Sequence, residues 1–260
     1  MDTVTSADGT TIAYDTTGNG PALVMVVGAF CDRQTTNSIA KVLAPEFTVY
    51  EYDRRGRGAS GDTAPYAAER EIEDLAAVAA AAGGSPFVFG HSSGAILALE
   101  AAARGVPMAK LVAYEPPYIV DDSRPRPGAD LAGRLAALVS EGRRADAATR
   151  FLTEAVGVPP EVVAMMEGSP DWSGMTALAH TLAYDITLCG QSFEIPAGRL
   201  AGIDVPTLVI GGGNSPEWFH HSVRAVADVV PDAHLRFLAG QDHGAADDVL
   251  APVLVEFFGA

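Results

Sequence analysis

Cysteine is nearly missing from this chain. Cys31 and Cys189 are the only two, with no CxxC pair and no Cys/His spacing. That excludes a disulfide framework and a zinc site, and it fits a reducing cytoplasm. Basic residues are also scarce, 17 Lys and Arg against 33 Asp and Glu, for a formal net charge of -16. Such a balance repels phosphate backbones and anionic lipid surfaces, so neither nucleic acid nor membrane is expected as a partner. Long apolar runs are absent as well: the longest, residues 22–30, falls far short of the roughly 20 residues that span a bilayer. Residues 1–6 carry neither the basic region nor the apolar core of a secretory signal. The expectation is a soluble, cytoplasmic protein whose 260 residues suffice for one α/β domain with an inserted subdomain.

What the chain does have is alternation of apolar runs with helix-forming stretches. Short β-favouring segments at 4–6 and 11–14 flank Ala7-Asp8-Gly9-Thr10 and read as a hairpin. The continuous apolar run 22–27 predicts a strand buried on both faces, as in a parallel sheet. Further strands are expected at 47–52, 87–89, 110–114, 205–210 and 233–238. Helices are expected at 37–43, 66–82, 94–104, 217–229 and 249–258, the second of them stopped by Gly83-Gly84. Between 118 and 203 the pattern changes to successive helices at 131–141, 145–156, 161–166 and 175–189. This divides the chain into an α/β core, 1–117 and 204–260, and a helical cap, 118–203.

The chemistry concentrates in Gly90-His91-Ser92-Ser93-Gly94, set between the strand at 87–89 and a helix rich in Ala and Leu. Two glycines one residue away on either side let a sharply bent backbone push the Ser92 side chain outward. Ser93 lacks that arrangement, because Ala95 stands where its second glycine would be. A serine hydroxyl needs an imidazole to take its proton. Of six histidines, His91 is locked inside the turn, His180 lies in the helical stretch, His220 and His221 on a helix, and His234 in a strand. Only His243, in a Gly-flanked loop past the last strand, is free to swing toward a nucleophile at the sheet's carboxyl edge.

Four segments together resemble the α/β-hydrolase superfamily over nearly the whole chain: Val27-Gly28-Ala29-Phe30, residues 52–60 (YDRRGRGAS), the Ser92 turn and Gly240-Gln241-Asp242-His243. The resemblance implies an α/β-hydrolase fold with a mostly parallel eight-stranded sheet flanked by helices, and a helical cap inserted after the sixth strand. It also implies Ser92 as nucleophile and His243 as general base and then acid. By position, the oxyanion donors are the N–H groups of Ser93 and Ala29, although the His-Gly pair usual before that loop reads Val27-Gly28 here and leaves Phe30 open as the donor. Arg54, Arg55 and Arg57 suggest either an anion-binding patch or, preferably, a bent loop whose arginines pair with acidic neighbours.

The triad acid departs from the family pattern. The expected Gly-x-x-Asp turn after the seventh strand reads Gly212-Gly213-Asn214-Ser215, without a carboxylate. Glu115, at the end of the sixth strand, is the first candidate and Glu217 the next; Asp242 is too close to turn back onto its neighbour's ring, and a dyad without an acid stays open. For the pocket above Ser92 the sequence offers Phe30, Tyr118 and Trp172, with Phe151, Met165, Met166, Tyr184 and Phe193. The function expected is that of a serine hydrolase, which cleaves a carboxylic ester or related acyl bond of a small, largely apolar substrate without metal or cofactor. A carbon-carbon bond hydrolase, cyclase or lyase is the alternative, and a non-catalytic ligand-binding protein the third reading.

Overall fold

The apolar runs pair side by side in a computed structural model that describes residues 1–190 and 192–259. Strands β1 (Asp2–Thr5) and β2 (Thr11–Thr17) form the expected antiparallel hairpin. After β3 (Ala22–Val26), α1 (Asn37–Leu43) leads to β4 (Thr48–Tyr52), which is antiparallel to β2 and parallel to β3. Helix α2 (Ala68–Ala81), β5 (Phe87–His91), α3 (Ser93–Ala103) and β6 (Lys110–Tyr114) follow.

Between β6 and the next strand lie α4 (Leu131–Ser140), α5 (Arg144–Arg150), α6 (Pro160–Glu167), α7 (Trp172–Ala177), α8 (Leu182–Cys189) and α9 (Ala197–Leu200). The chain then returns through β7 (Thr207–Gly212), α10 (Glu217–Val229), β8 (Ala233–Leu238) and α11 (Asp247–Gly259). The eight strands form one sheet in the order β1-β2-β4-β3-β5-β6-β7-β8, parallel from β4 to β8. No described helix is long and apolar enough to cross a membrane.

Successive side chains along a strand face opposite ways, and the core divides accordingly. Val24 and Val26 of β3 point to the face covered by α2, α3 and α10, with Leu75, Ile96 and Val223. Leu23 and Met25 point to the other face, covered by α1 and α11, with Leu43 and Leu254. Burial on both faces is why these strands read as unbroken apolar runs rather than alternating ones.

Two expected helices are interrupted, and at each break side chains bond to backbone carbonyls. The stretch 175–189 divides into α7, a 3-10 turn at Ala179–Thr181 and α8. There the Thr181 hydroxyl donates to the Leu178 carbonyl (3.0 Å) and the His180 ring bonds Ala177 and Gly56 carbonyls, competing with the helix ladder. The stretch 145–156 runs as α5 into a π-helical turn, Phe151–Val156, at whose start Thr153 donates back to the Thr149 carbonyl (2.9 Å).

The arginine loop is structural. Arg54, Arg55 and Arg57 are at most 1% exposed. Arg55 makes a two-pronged pair with Asp74 of α2 (2.7 Å for each bond) and reaches Asp8 in the β1–β2 turn at 3.0 Å. Breaking a buried pair leaves a lone charge behind, so Arg55→Ala should cost about 3–5 kcal/mol by denaturant unfolding, whereas Arg55→Met combined with Asp74→Leu should recover most of that loss.

Candidate active site

The turn from β5 into α3 works only with its two glycines. Ser92 has φ 57° and ψ -126°, a left-handed conformation that L residues rarely adopt. A Cβ on Gly90 would lie 2.6 Å from the Gly94 carbonyl oxygen, and one on Gly94 would lie 2.2 Å from that of Val26. The absence of both lets α3 press against the end of β3. Gly28 completes the approach: a Cβ there would sit 2.8 Å from the Ser92 Cβ. The loop after β3 therefore lies directly against the Ser92 side chain.

His243 follows β8 and is held from several directions. Its Nδ1 is 2.7 Å from Oε2 of Glu115, whose side chain is 0% exposed. A carboxylate oxygen only accepts, so Nδ1 carries the proton and Nε2 is left with a lone pair. The second Glu115 oxygen accepts from the Gly212 N–H at 2.7 Å. The Phe219 ring stacks on the imidazole, with centroids 4.6 Å apart and planes 21° apart. The His243 carbonyl accepts from His91 Nε2 at 2.7 Å, and the Tyr114 hydroxyl donates to the Asp242 carbonyl. Gly212 has no room for a Cβ, which would lie 2.6 Å from the Asp242 carbonyl oxygen.

Ser92 and His243 open into one cavity of about 350 Å³, with Ala29, Phe30 and Ser93 also in its wall. Phe151, Phe193, Trp218 and Phe219 supply most of its aromatic lining. Cys31 and Cys189 line it too, but burial pushes both thiols up, so neither is a ready thiolate. Four non-glycine residues among those described have positive φ: Phe30, Ser92, Glu115 and Phe193. Three of them line this cavity, and the fourth is bonded to its histidine. Strained backbone of this kind gathers where geometry is over-determined by its surroundings.

The structure thus brings together Ser92, His243, Glu115, Ala29, Ser93 and Phe30. It sets Glu217 apart: that side chain is 80% exposed and sits 3.5 Å from His221. Tyr118 and Trp172, expected in the pocket, do not line it. Trp172 opens α7, which packs on α5, and faces a surface depression with Arg144 and Glu167. Tyr118, turned inward straight after Pro116-Pro117, packs beside Ile96 and Glu100 of α3 instead. Trp218 and Phe219 were missed by sequence reasoning, although they occupy the first turn of a helix that starts at the carboxyl edge of β7, where ligand-facing residues gather in α/β sheets. Asp185 of α8, also in the cavity wall, had no local signal at all.

A model of the Alpha/beta hydrolase family matches residues 23–253. The crystal structure of an alpha/beta hydrolase from Sphaerobacter thermophilus DSM 20745 is similar at 56% sequence identity and a TM-score of 0.95, covering 99% of this chain and 100% of that one. Among curated proteins, N-formylmaleamate deformylase of Pseudomonas putida strain KT2440 is 39% identical over 104 residues, 38% of this chain and 39% of that protein. The uncharacterized hydrolase YraK of Bacillus subtilis strain 168 is 34% identical over 96 residues, 35% of each. The chain therefore spans less than two fifths of the length of these two curated relatives.

Burial pushes the His91 imidazole down to about 3. Its folded form is neutral, while the unfolded chain takes up a proton near pH 6.5, so stability rises with pH between about 3 and 6.5. Between pH 7 and pH 5 this one residue should remove about 2 kcal/mol of unfolding free energy. Parallel urea titrations at the two pH values should show that difference shrinking in His91→Gln.

Proposed function

Because the chain belongs to the alpha/beta hydrolase family, we propose that it is a serine hydrolase that cleaves an acyl bond through a covalent intermediate on Ser92. The observation that carries this reading is the 2.7 Å contact between His243 Nδ1 and the buried Glu115 carboxylate, with Ser92 in the same cavity. In the proposed reaction His243 Nε2 takes the Ser92 proton as Oγ attacks the substrate carbonyl. Glu115 stays ionised, holds the imidazole in the tautomer that exposes Nε2, and stabilises the imidazolium that forms. The negative charge on the carbonyl oxygen is met by backbone N–H groups of Ser93, at the start of α3, and of the loop after β3. His243 then returns its proton to the leaving group, and a water molecule, deprotonated in the same way, releases the acid.

The lining favours a small, neutral, largely apolar substrate. Among the described residues it contains no lysine or arginine, and its one carboxylate, Asp185, is already paired with Arg54 and Arg57 behind the wall. The deformylase relative acts, by its name, on an N-formyl derivative of maleamate, which carries a carboxylate. Hydrolysis of a formyl amide is the same acyl chemistry, but this cavity offers that carboxylate no cation. The alternative of a carbon-carbon bond hydrolase, cyclase or lyase drew on the altered loop after β3 and on the missing acid after β7, and only the second ground is met here. Glu115 in contact with His243 supports ordinary acyl transfer instead.

A fluorophosphonate should label wild-type protein once, on Ser92, and Ser92→Ala should abolish both labelling and turnover of a neutral aryl ester. Full activity in Ser92→Ala would sink the assignment. Glu115→Gln should lower kcat by about 10⁴-fold, as loss of the orienting acid does in other triads, while Glu217→Gln should leave it unchanged. Compared at equal chain length, an aryl ester with a free terminal carboxylate should have a far lower kcat/KM than its neutral counterpart.

A further inference from the structure

Asp185 lies far along the chain from the Ser92 turn, yet one of its oxygens accepts from three side chains there and in the arginine loop. Oδ1 takes the Ser93 hydroxyl at 2.7 Å, Arg54 Nη1 at 2.9 Å and Arg57 Nη2 at 2.9 Å, and Oδ2 takes Arg57 Nη2 at 2.8 Å. All four side chains are buried. The arginines continue past Asp185 into the loop after β3. Arg54 Nη1 donates to the Val27 carbonyl at 3.2 Å, and Arg57 Nη1 to the carbonyls of Gly28 and Cys31, the latter at 3.1 Å.

The Gly28 carbonyl decides where the next N–H points. In a trans peptide the C=O and N–H of one unit lie in a plane and point in opposite directions. A guanidinium that grips the Gly28 oxygen from inside the protein therefore turns the Ala29 N–H away from itself, toward the cavity in whose wall Ala29 lies. No described acceptor takes the Ala29 N–H. A charged donor on the carbonyl also polarises the peptide and makes that N–H a stronger donor. The other N–H is fixed in a similar way. The Ser92 carbonyl is occupied by the N–H of Ala95 at 2.9 Å, so the Ser93 N–H points out of the start of α3, and the Ser93 side chain is anchored on Asp185.

We infer that Arg57 and Asp185 are positioning residues that aim the Ala29 and Ser93 N–H groups at a single point, and that Ala29 rather than Phe30 supplies the loop's oxyanion donor. This rests on the acyl-enzyme reading above. Asp185 belongs to α8, so the packing of that helix on the sheet and the geometry of the oxyanion site are set by one carboxylate. Burial disfavours its ionised form, but Arg57 and Arg54 outweigh burial and hold its carboxyl below the usual carboxylate range.

Arg57→Lys keeps the charge opposite Asp185 and so guards the fold, but a single ammonium cannot span Gly28, Cys31 and Asp185 together. Asp185→Asn keeps the shape and weakens both arms. Each is assayed on a neutral aryl ester and with an alkyl boronic acid, whose adduct on Ser92 mimics the tetrahedral intermediate. In Arg57→Lys, kcat and boronic acid affinity should fall together by about 10- to 100-fold, part of the cost of a lost oxyanion donor. KM and the midpoint of the pH-rate profile should hold. Asp185→Asn should move the same two quantities in the same direction. If either variant folds, labels fully on Ser92 and binds the boronic acid as tightly as wild type, the positioning role is overturned. Failure of the wild-type protein itself to label would instead overturn the acyl-enzyme reading beneath it.

Discussion

One buried carboxylate ties three strand ends together. Glu115 follows β6, takes the N–H of Gly212 at the end of β7, and contacts His243 in the loop after β8. A buried carboxylate needs partners for both oxygens, and Glu115, 0% exposed, has one for each. The backbone is bent to serve it: Glu115 has φ 46°, and its own N–H donates to the Ile210 carbonyl of β7 at 2.9 Å. Because β6 and β7 are neighbours in the sheet, an acid at the end of either can approach the same histidine. Gly212, whose N–H the carboxylate takes, must itself be glycine because the Asp242 backbone passes so close.

The Ser92 turn imposes a second constraint. Its positive φ survives because β5, α3 and the end of β3 are pressed together at distances that only glycine permits. The same tightness brings the loop after β3 against Ser92, so the geometry of the proposed nucleophile and that of the proposed oxyanion site are not independently adjustable. The arginine loop then braces that loop from behind with guanidinium groups. Arg54 is shared between Glu71 of α2 and Asp185 of α8, and thereby ties both helices to the site.

How legible this was in the sequence depended on how local each feature is. The Ser92 turn is five residues long and its glycines have a steric meaning that can be read directly. His243 could be found by elimination among six histidines, because the loop after the last strand has a fixed place at the sheet's edge. Glu115 could be named a candidate but not preferred over Glu217 with certainty, since the choice turns on where two side chains point in space. Asp185 could not be found, as its partners Arg54 and Arg57 are 131 and 128 residues away along the chain. The inserted helices were the least legible part. Their aromatic residues mark apolar surface, but which surface faces the cavity depends on breaks such as the one at His180 and Thr181, where side chains capture backbone carbonyls. Trp172 falls on the far side of such a break.

The composition of the cavity gives these devices their strength. A chain with formal charge -16 surrounds its serine with phenylalanines, a tryptophan and small aliphatic side chains, and confines ionised groups to the cavity's wall and floor. Under the proposed mechanism, a fixed N–H dipole in so dry a space stabilises a developing oxyanion far more than it would in water. The same dryness penalises any substrate that must strip water from a charge without finding a counter-ion. Under the proposed function, selection for neutral substrates and stabilisation of a charged transition state are therefore two results of one arrangement, an apolar chamber whose charged side chain is already paired within the protein while the Ala29 N–H has no described acceptor.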